Sequence, residues 1–258
     1  MKTLFCTLMI SLTVSHLAAA GEKVSFTTPD GVKIVGDFYK PASRKKLTLI
    51  LLHGLGSVRQ EWSPFDKLLA SKGYGVFVYD ARGHSESNMK VTGENIDFKS
   101  FYGQGLNSEW GKMINDVGAA IKYLKTKYNI DPRNIAVGGA SIGANVAFRY
   151  ASAHAEAPCA ILLSPGIDYQ GIKIDDVLSA YGSRPLFVAV SPLDRYSYSS
   201  VQSIIAENSA RIQGKAVIDV YTEKLNQGHG TQMFKRKSPE VPSDLENELV
   251  KWIQKIKL

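Results

Sequence analysis

Residues 137–145 read VGGASIGAN, and the rest of the sequence is best interpreted outward from this stretch. It contains Gly139-x-Ser141-x-Gly143, after an apolar run and before a segment with helix-forming residues. Glycines on both sides of a serine allow so sharp a turn from strand to helix that the hydroxyl stands exposed at the carboxyl end of the strand. A glycine-rich phosphate loop would need Gly-Lys-Ser/Thr, which is absent. The pattern therefore predicts that Ser141 is a nucleophile.

Short apolar runs recur on both sides of this turn and predict strands. Residues 47–52 read LTLILL, a nearly continuous run that suits a strand buried on both faces of a parallel sheet. Upstream, residues 23–27 and 32–39 flank Pro29-Asp30-Gly31, whose turn chemistry predicts an antiparallel hairpin. Further runs of the buried kind are 76–79, 135–138, 160–163, 186–190 and 216–221.

Between the strands the apolar spacing becomes helical. One stripe at intervals of three and four residues runs from Trp110 to Leu124. A second runs from Leu245 to Ile256, where Ser243 and Glu246 have the spacing of a capping box. A hairpin followed by strand–helix units predicts an α/β fold, with a mostly parallel sheet, an N-terminal antiparallel hairpin and helices on both faces. Residues 21–258 contain no repeat, linker or composition break, so we expect them to form a single domain.

A serine nucleophile needs a base, and His229 is the predicted one. It lies in Gly228-His229-Gly230, after the last predicted strand, where a glycine-rich loop lets the imidazole reach toward the serine. The other four histidines fit this role less well, because they lie in the first twenty residues, at the end of an early strand, upstream of the serine or in the helix after it: His16, His53, His84 and His154.

Asp194 is the predicted acid that orients the base. It closes residues 188–194, a strand that turns into a loop. The order Ser141, Asp194, His229 is the nucleophile–acid–base order of enzymes with this type of serine turn. Such an acid holds the neutral imidazole in the correct tautomer and stabilises the imidazolium that forms. Three other aspartates are alternatives for this role. Asp168 and Asp175 follow the preceding predicted strand, and Asp219 lies inside a predicted strand.

An acyl-transfer site also needs two backbone N–H groups aimed at the developing oxyanion. One is expected from Ile142, directly after the nucleophile. The other is expected from Leu55 in residues 53–56, HGLG, where small residues leave room for a carbonyl oxygen. A plain strand-to-helix turn would use the same glycines, so that interpretation of residues 53–56 remains open.

Taken in order, these motifs resemble those of the α/β-hydrolase superfamily: HGLG at 53–56, GASIG at 139–143 and the loops of Asp194 and His229. Residues 80–85, DARGHS, also resemble the family's Asp-x-Arg-Gly-His-Gly segment, with Ser85 in place of the last glycine. In the family that segment is usually structural, so Asp80 and His84 are left out of the catalytic set. The resemblance implies a serine hydrolase similar to small carboxylesterases, but it selects no substrate, because one fold hosts many functions.

The connections between the motifs bear on the substrate pocket. Residues 165–184 leave room for about one helix, and this minimal cap is similar to that of dienelactone-hydrolase-like proteins, which typically carry a cysteine where this chain has Ser141. Residues 86–109 form a long irregular stretch, of the kind that is usually functional or mobile. This stretch is either part of the acyl or alcohol pocket or a structural flap.

The expected activity is hydrolysis of small soluble carboxylic esters through an acyl-enzyme. A peptidase or a thioesterase with the same triad remains an alternative, and so does a non-catalytic binding protein with this fold. The proposed chemistry needs no cofactor, and the sequence has no His-Glu-x-x-His or clustered metal-ligand pattern.

Residues 1–20 are predicted to be a cleaved signal peptide. Lys2 precedes a mostly apolar run that ends in Ala18-Ala19-Ala20. A membrane anchor is the alternative, but the run is short for a span of about 20 apolar residues and is interrupted by polar ones. We therefore expect export to a periplasm or secretion, without a stable membrane anchor. Cleavage would leave Cys159 as the sole thiol, so no disulfide framework is expected.

The net charge of +7 does not indicate a nucleic-acid partner. The positive residues form short groups such as 44–46 and 235–237, which are typical of solvated faces, and no nucleic-acid-binding motif accompanies them. With 44% hydrophobic residues the composition is that of a globular protein rather than a disordered one. The expected partner is a small-molecule ester, and these patterns leave the oligomeric state open.

Overall fold

The computed structural model describes residues 21–211, 213–224 and 228–258, so the predicted signal peptide lies outside the described residues. The strands are β1 (Glu22–Thr27), β2 (Val32–Tyr39), β3 (Thr48–Leu52), β4 (Gly75–Tyr79), β5 (Met89–Lys90), β6 (Ile135–Ala140), β7 (Ala160–Leu163), β8 (Asp168–Tyr169), β9 (Ile172–Lys173), β10 (Pro185–Val190) and β11 (Val217–Thr222). The α-helices are α1 (Phe65–Ser71), α2 (Glu109–Tyr128), α3 (Ile142–Ala153), α4 (Leu178–Tyr181), α5 (Arg195–Ala210) and α6 (Asp244–Ile253).

One sheet organises the described part of the chain, in the strand order β1-β2-β4-β3-β6-β7-β10-β11. β1 pairs with β2 and β2 with β4 in antiparallel fashion, whereas all later neighbours in this order are parallel. The predicted α/β architecture with an N-terminal antiparallel hairpin is therefore confirmed. Every residue of β3, β4, β6 and β7 is buried, as the continuous apolar runs predict for central parallel strands.

Helices cover both faces of this sheet, and each face has its own apolar core. On one face α2 and α3 pack through residues such as Trp110, Val117 and Phe148. On the other, α1 and α6 contribute Phe65 and Leu249. Because parallel strands run in the same direction, the loops after β3, β6, β10 and β11 meet at one edge of the sheet, which is where an open α/β sheet binds ligands.

The two long connections contain more regular structure than their sequences indicate. Residues 86–109 include β5, which pairs with β2 through Val32 and Lys90, and a short 3-10 turn over Phe98–Ser100. Residues 165–184 form the β8–β9 hairpin and the four-residue helix α4. No helix in the described part of the chain is both long and apolar enough to cross a membrane.

Candidate active site

Ser141 stands at the turn between β6 and α3 in a strained backbone conformation. Its φ is 55° and its ψ is −125°, a region that residues other than glycine rarely adopt and that is often found at functional sites. A Cβ on Gly139 would lie 2.2 Å from the carbonyl carbon of Gly143. The turn can therefore close only because this position has no side chain. Its geometry is that of the sharp strand-to-helix turn predicted from GASIG, and Ser141 itself is 9% exposed.

Asp194 and His229 come together next to this turn. Asp194 precedes α5, His229 precedes the 3-10 turn Gly230–Met233, and their side chains pair with 2.6 Å between Oδ2 and Nδ1. With Nδ1–H donated to the carboxylate, the neutral ring keeps Nε2 as a proton acceptor. Two of the alternative acids bind other groups instead: Asp219 accepts from Trp252 Nε1, and Asp168 accepts from Gly171 N. Asp175 is exposed in the loop before α4.

The surroundings of Asp194 keep its carboxylate ionised. Burial raises its pKa, but the hydrogen bond and the charge of His229 lower it, and so do hydrogen bonds from the side chains of Ser197 and Ser164. The net effect is a pKa below the ordinary value of an aspartate. The pair is thus suited to stabilise an imidazolium on His229.

The loop of His229 contacts the serine turn, although the Ser–His hydrogen bond itself is not closed. A Cβ on Gly230 would lie 2.9 Å from the Cβ of Ala140, the residue before Ser141. Among the described residues, no hydrogen bond joins the Ser141 hydroxyl to the His229 ring. Catalytic hydrogen bonds are often long without substrate and tighten when it binds.

The predicted oxyanion loop lies against the nucleophile. A Cβ on Gly54 would be 3.4 Å from the Cβ of Ser141. The N–H of Gly54 is taken by Glu61, whose Oε1 lies 3.0 Å away. Within the described residues, the N–H groups of Leu55 and Ile142 donate no hydrogen bond, so both are available to an oxyanion. The structure therefore places both predicted donors on segments that touch Ser141.

Two buried histidines hold this loop in place. His53 Nδ1–H donates to Gly54 O at 2.7 Å, and its Nε2 accepts from Ala81 N at 2.9 Å. His84 Nε2 accepts from Gly56 N at 3.2 Å. Burial lowers the pKa of His53 to about 4 and also lowers that of His84, so both rings are neutral at pH 7. Their hydrogen bonds hold the predicted oxyanion loop in place.

The DARGHS segment also anchors two groups of buried charges. Asp80 accepts from Arg59 N at 2.9 Å and pairs with its guanidinium. Arg82, 1% exposed, pairs with Asp116 at 2.6 Å and also with Asp30 and Glu109. These contacts join the β1–β2 turn, the loop after β4 and helix α2, which is a structural role.

Sequence reasoning missed four residues that lie around the predicted triad. Glu61 holds Gly54 and acts on His229 through its charge. Ser164, Tyr169 and Ser197 lie around Asp194 and His229. Ser164 directly follows the apolar run of β7, which is the one local signal that could have drawn attention to it.

Comparison with known proteins shows the family. Residues 43–223 match the family described as serine aminopeptidase, S33, and the chain belongs to this family of α/β hydrolases. The family description names a group of related sequences, and it leaves open which bond this chain cleaves.

Two curated relatives extend the comparison. The chain is 25% identical over 194 residues to protein phosphatase methylesterase 1 of Candida albicans, covering 73% of this chain and 47% of that protein. It is 26% identical over 214 residues to human alpha/beta hydrolase domain-containing protein 17B, covering 81% and 62%. The chain spans about half the length of the curated relatives that it matches first, 52% and 47%.

Among solved structures, an esterase of Pyrococcus furiosus, Pf2001, superposes with a TM-score of 0.67 at 21% identity. The match covers 96% of this chain and 95% of that one. At this identity the likeness concerns the fold, and together with the family match it confirms the predicted α/β-hydrolase fold.

Proposed function

We propose that this hydrolase cleaves small carboxylic esters with Ser141 as nucleophile, His229 as general base and Asp194 as the orienting acid. One observation carries the proposal. The Asp194–His229 pair, at 2.6 Å, lies beside the strained strand-to-helix turn that carries Ser141. Nucleophile, base and orienting acid in such proximity form the arrangement that activates a serine.

The reaction follows from these positions. Ser141 Oγ attacks the ester carbonyl carbon and passes its proton to His229 Nε2, while the carbonyl oxygen becomes an oxyanion held by the N–H groups of Leu55 and Ile142. The intermediate collapses, and the alcohol leaves with the proton from His229. Water then gives its proton to His229 and attacks the acyl-enzyme, which releases the acid and restores Ser141.

The names of similar proteins favour an ester over an amide. A methylesterase is among the relatives and an esterase among the similar structures. Between β7 and β10 the described chain carries only a short hairpin and a four-residue helix, so the cap over the site is small. The peptidase alternative is kept as a second candidate, because the family description is that of an aminopeptidase.

Labelling with a fluorophosphonate probe tests the nucleophile. The probe should modify Ser141 in the wild-type protein and fail to modify the Ser141→Ala variant. Ser152→Ala, which removes a buried hydroxyl from the same helix α3, is the matched control and should label normally. Undiminished labelling of Ser141→Ala would contradict the assignment.

Rates on a panel of p-nitrophenyl esters of rising chain length, thioesters and aminoacyl amides then separate the two candidates. The highest kcat/KM is expected for short esters. If the highest kcat/KM were found for aminoacyl amides, the peptidase function would be supported instead of the esterase function.

A further inference from the structure

Three hydroxyl groups outside the triad surround Asp194, and we call them the hydroxyl cluster: Ser164, Tyr169 and Ser197. Ser164 directly follows β7, Tyr169 ends β8, and Ser197 lies in the first turn of α5, three residues after Asp194. Ser164 and Ser197 are both 0% exposed. Buried hydroxyls need hydrogen-bond partners, and here the partners lead to the acid and the base of the triad.

Ser197 links Tyr169 with Asp194. Each hydroxyl has one proton to donate. The Ser197 proton is directed at acceptors without protons, the Ser164 carbonyl oxygen at 3.3 Å and the Asp194 carboxylate. The Tyr169 hydroxyl lies 3.0 Å from Ser197 Oγ, where either oxygen can donate, and it also donates to the Ser164 carbonyl oxygen at 3.5 Å. The Tyr169 and Ser197 hydroxyls thus belong to one hydrogen-bonded network that reaches the Asp194 carboxylate.

Ser164 connects the acid with the loop of the base. Its Oγ accepts from Gly230 N at 2.8 Å, directly after His229, and its side chain also acts as a donor to Asp194. Its φ is 50°, a conformation that is costly for a residue with a side chain. Such strain persists only where surrounding contacts determine it, and it clusters at functional sites.

Tyr169 is held firmly in its place against the base. Its ring meets the His229 ring edge to face, with 6.4 Å between centroids and 88° between planes. A Cβ on Gly166 would lie 2.7 Å from the Tyr169 ring. The ring can therefore pack directly against the backbone of Gly166, because this residue has no side chain. The buried Asn145 side chain fixes the hairpin by donating to Gly166 O at 2.8 Å and to Ile172 O at 2.7 Å.

Building on the proposed function, we propose that the hydroxyl cluster is a set of positioning residues that limits the negative charge Asp194 presents to His229 and thereby sets how strongly His229 binds a proton. Each hydrogen bond donated to a carboxylate stabilises its charge. With a donor removed, the carboxylate interacts more strongly with the Nδ1–H of His229 and favours the imidazolium. The cluster thus keeps His229 free to accept a proton at neutral pH, as a general base must.

Other ionisable groups also face this pair. Glu61 acts on His229 from the side of the oxyanion loop, and burial raises the pKa of Glu61. Tyr196 on α5 contacts the Tyr169 ring at 5.5 Å. Burial raises the pKa of Tyr169, so this phenol is neutral at neutral pH.

The experiment is an NMR titration of the His229 ring in the wild type, Ser197→Ala and Tyr169→Phe, with the acidic limb of the kcat/KM profile measured in parallel. Both variants should raise the pKa of His229 by about half a unit, with the acidic limb moving by the same amount. Ser200→Ala and Tyr196→Phe, both on α5, are the controls. The Ser200 hydroxyl accepts from Ile167 N, and the Tyr196 hydroxyl bonds the backbone of Asp168. The controls should leave the pKa unmoved.

An unmoved His229 pKa in both variants overturns the proposal, even if kcat falls. A loss of kcat that is equal at every pH would show that the cluster only supports the fold. Since the titration needs no substrate, a wild-type protein without turnover contradicts the proposed function and leaves the test of the cluster intact.

Discussion

Gly143 shows how closely the turn of Ser141 is packed against the predicted oxyanion loop. A Cβ at this position would lie 2.6 Å from the His53 carbonyl oxygen and 2.7 Å from that of Leu52. Both oxygens belong to backbone, which cannot rotate away. The absence of a side chain at Gly143 therefore lets α3 begin directly under the end of β3, beside the predicted donor Leu55.

Gly143→Ala should lower both stability and activity. Overpacking typically costs about 1–3 kcal/mol, and the displaced loop should carry the Leu55 N–H away from the oxyanion. Gly118→Ala, within α2, is the control. Its Cβ would meet the Tyr150 ring of α3 at an ordinary contact distance of 3.6 Å, and alanine in a helix is more stable than glycine by up to about 1 kcal/mol. Urea unfolding and kcat measure the two effects. Equal behaviour of the two variants would refute this account of Gly143.

The residues of the candidate site differ in how visible they are in the sequence. Ser141, Asp194 and His229 follow strands or lie between glycines, and the structure brings the last two into contact. Tyr169 and Ser197 carry no such local signal, because their roles arise from contacts between segments that are distant in the chain and share no pattern. Only the folded arrangement of β8 beside α5 shows them.

At the scale of secondary-structure elements, α6 has the N-terminus that its sequence predicts. Ser243 Oγ accepts from Glu246 N at 3.3 Å, and the Glu246 carboxylate accepts from Ser243 N at 2.7 Å. Arg236 pairs with the same carboxylate at 2.6 Å, and Glu246 is 0% exposed. The box therefore ties the loop after His229 to the last helix.

Ser243→Ala should destabilise the protein by about 1 kcal/mol, because it removes a capping acceptor from the first turn of α6. Ser209→Ala, in which an exposed serine of α5 loses a bond to Ile205 O, should change the free energy of unfolding by less than about 0.5 kcal/mol. Thermal or urea unfolding of both variants provides the measurement. A Ser243→Ala variant as stable as the wild type would mean that Arg236 alone fixes Glu246.

The strands were predictable as elements, but their neighbours were not. The predicted run 216–221 corresponds to β11, Val217–Thr222, with a shift of one residue at each end. Its predicted burial was wrong, because β11 is the outermost strand of the sheet and leaves Val217 and Val220 exposed. The position of β4 between β2 and β3 has no local signal, because it depends on a crossover connection. The two-residue strands β5, β8 and β9 are too short to produce an alternating pattern, so they were missed.

At the scale of the whole molecule, Arg82 connects parts of the fold that the sheet alone does not join. Its guanidinium pairs with Asp30 in the β1–β2 turn and with Glu109 and Asp116 in α2. Both Arg82 and Asp116 are 1% exposed, so each is the other's main compensation for lost hydration. Removing one partner leaves a buried charge without a counterion.

Arg82→Met should therefore cost about 3–5 kcal/mol of stability. The double variant Arg82→Met/Asp116→Leu should recover part of this loss, since it buries no unpaired aspartate. Lys251→Met breaks the exposed pair with Glu248 and should cost less than about 1 kcal/mol. Urea unfolding compares the three proteins. If Arg82→Met lost no more stability than Lys251→Met, the buried pair would contribute little to the free energy of unfolding.

Two of the predicted triad positions, Ser141 and His229, differ in their distance from the outer strand of the sheet. Ser141 follows β6, which is paired on both sides, whereas His229 lies beyond β11, the outermost strand. Exposed peripheral loops tolerate insertion and exchange better than segments buried by neighbours. Substrate range is therefore most open to change, in evolution or by loop grafting, from the histidine side. The serine turn offers no such freedom, because backbone atoms lie against it at Gly139 and Gly143.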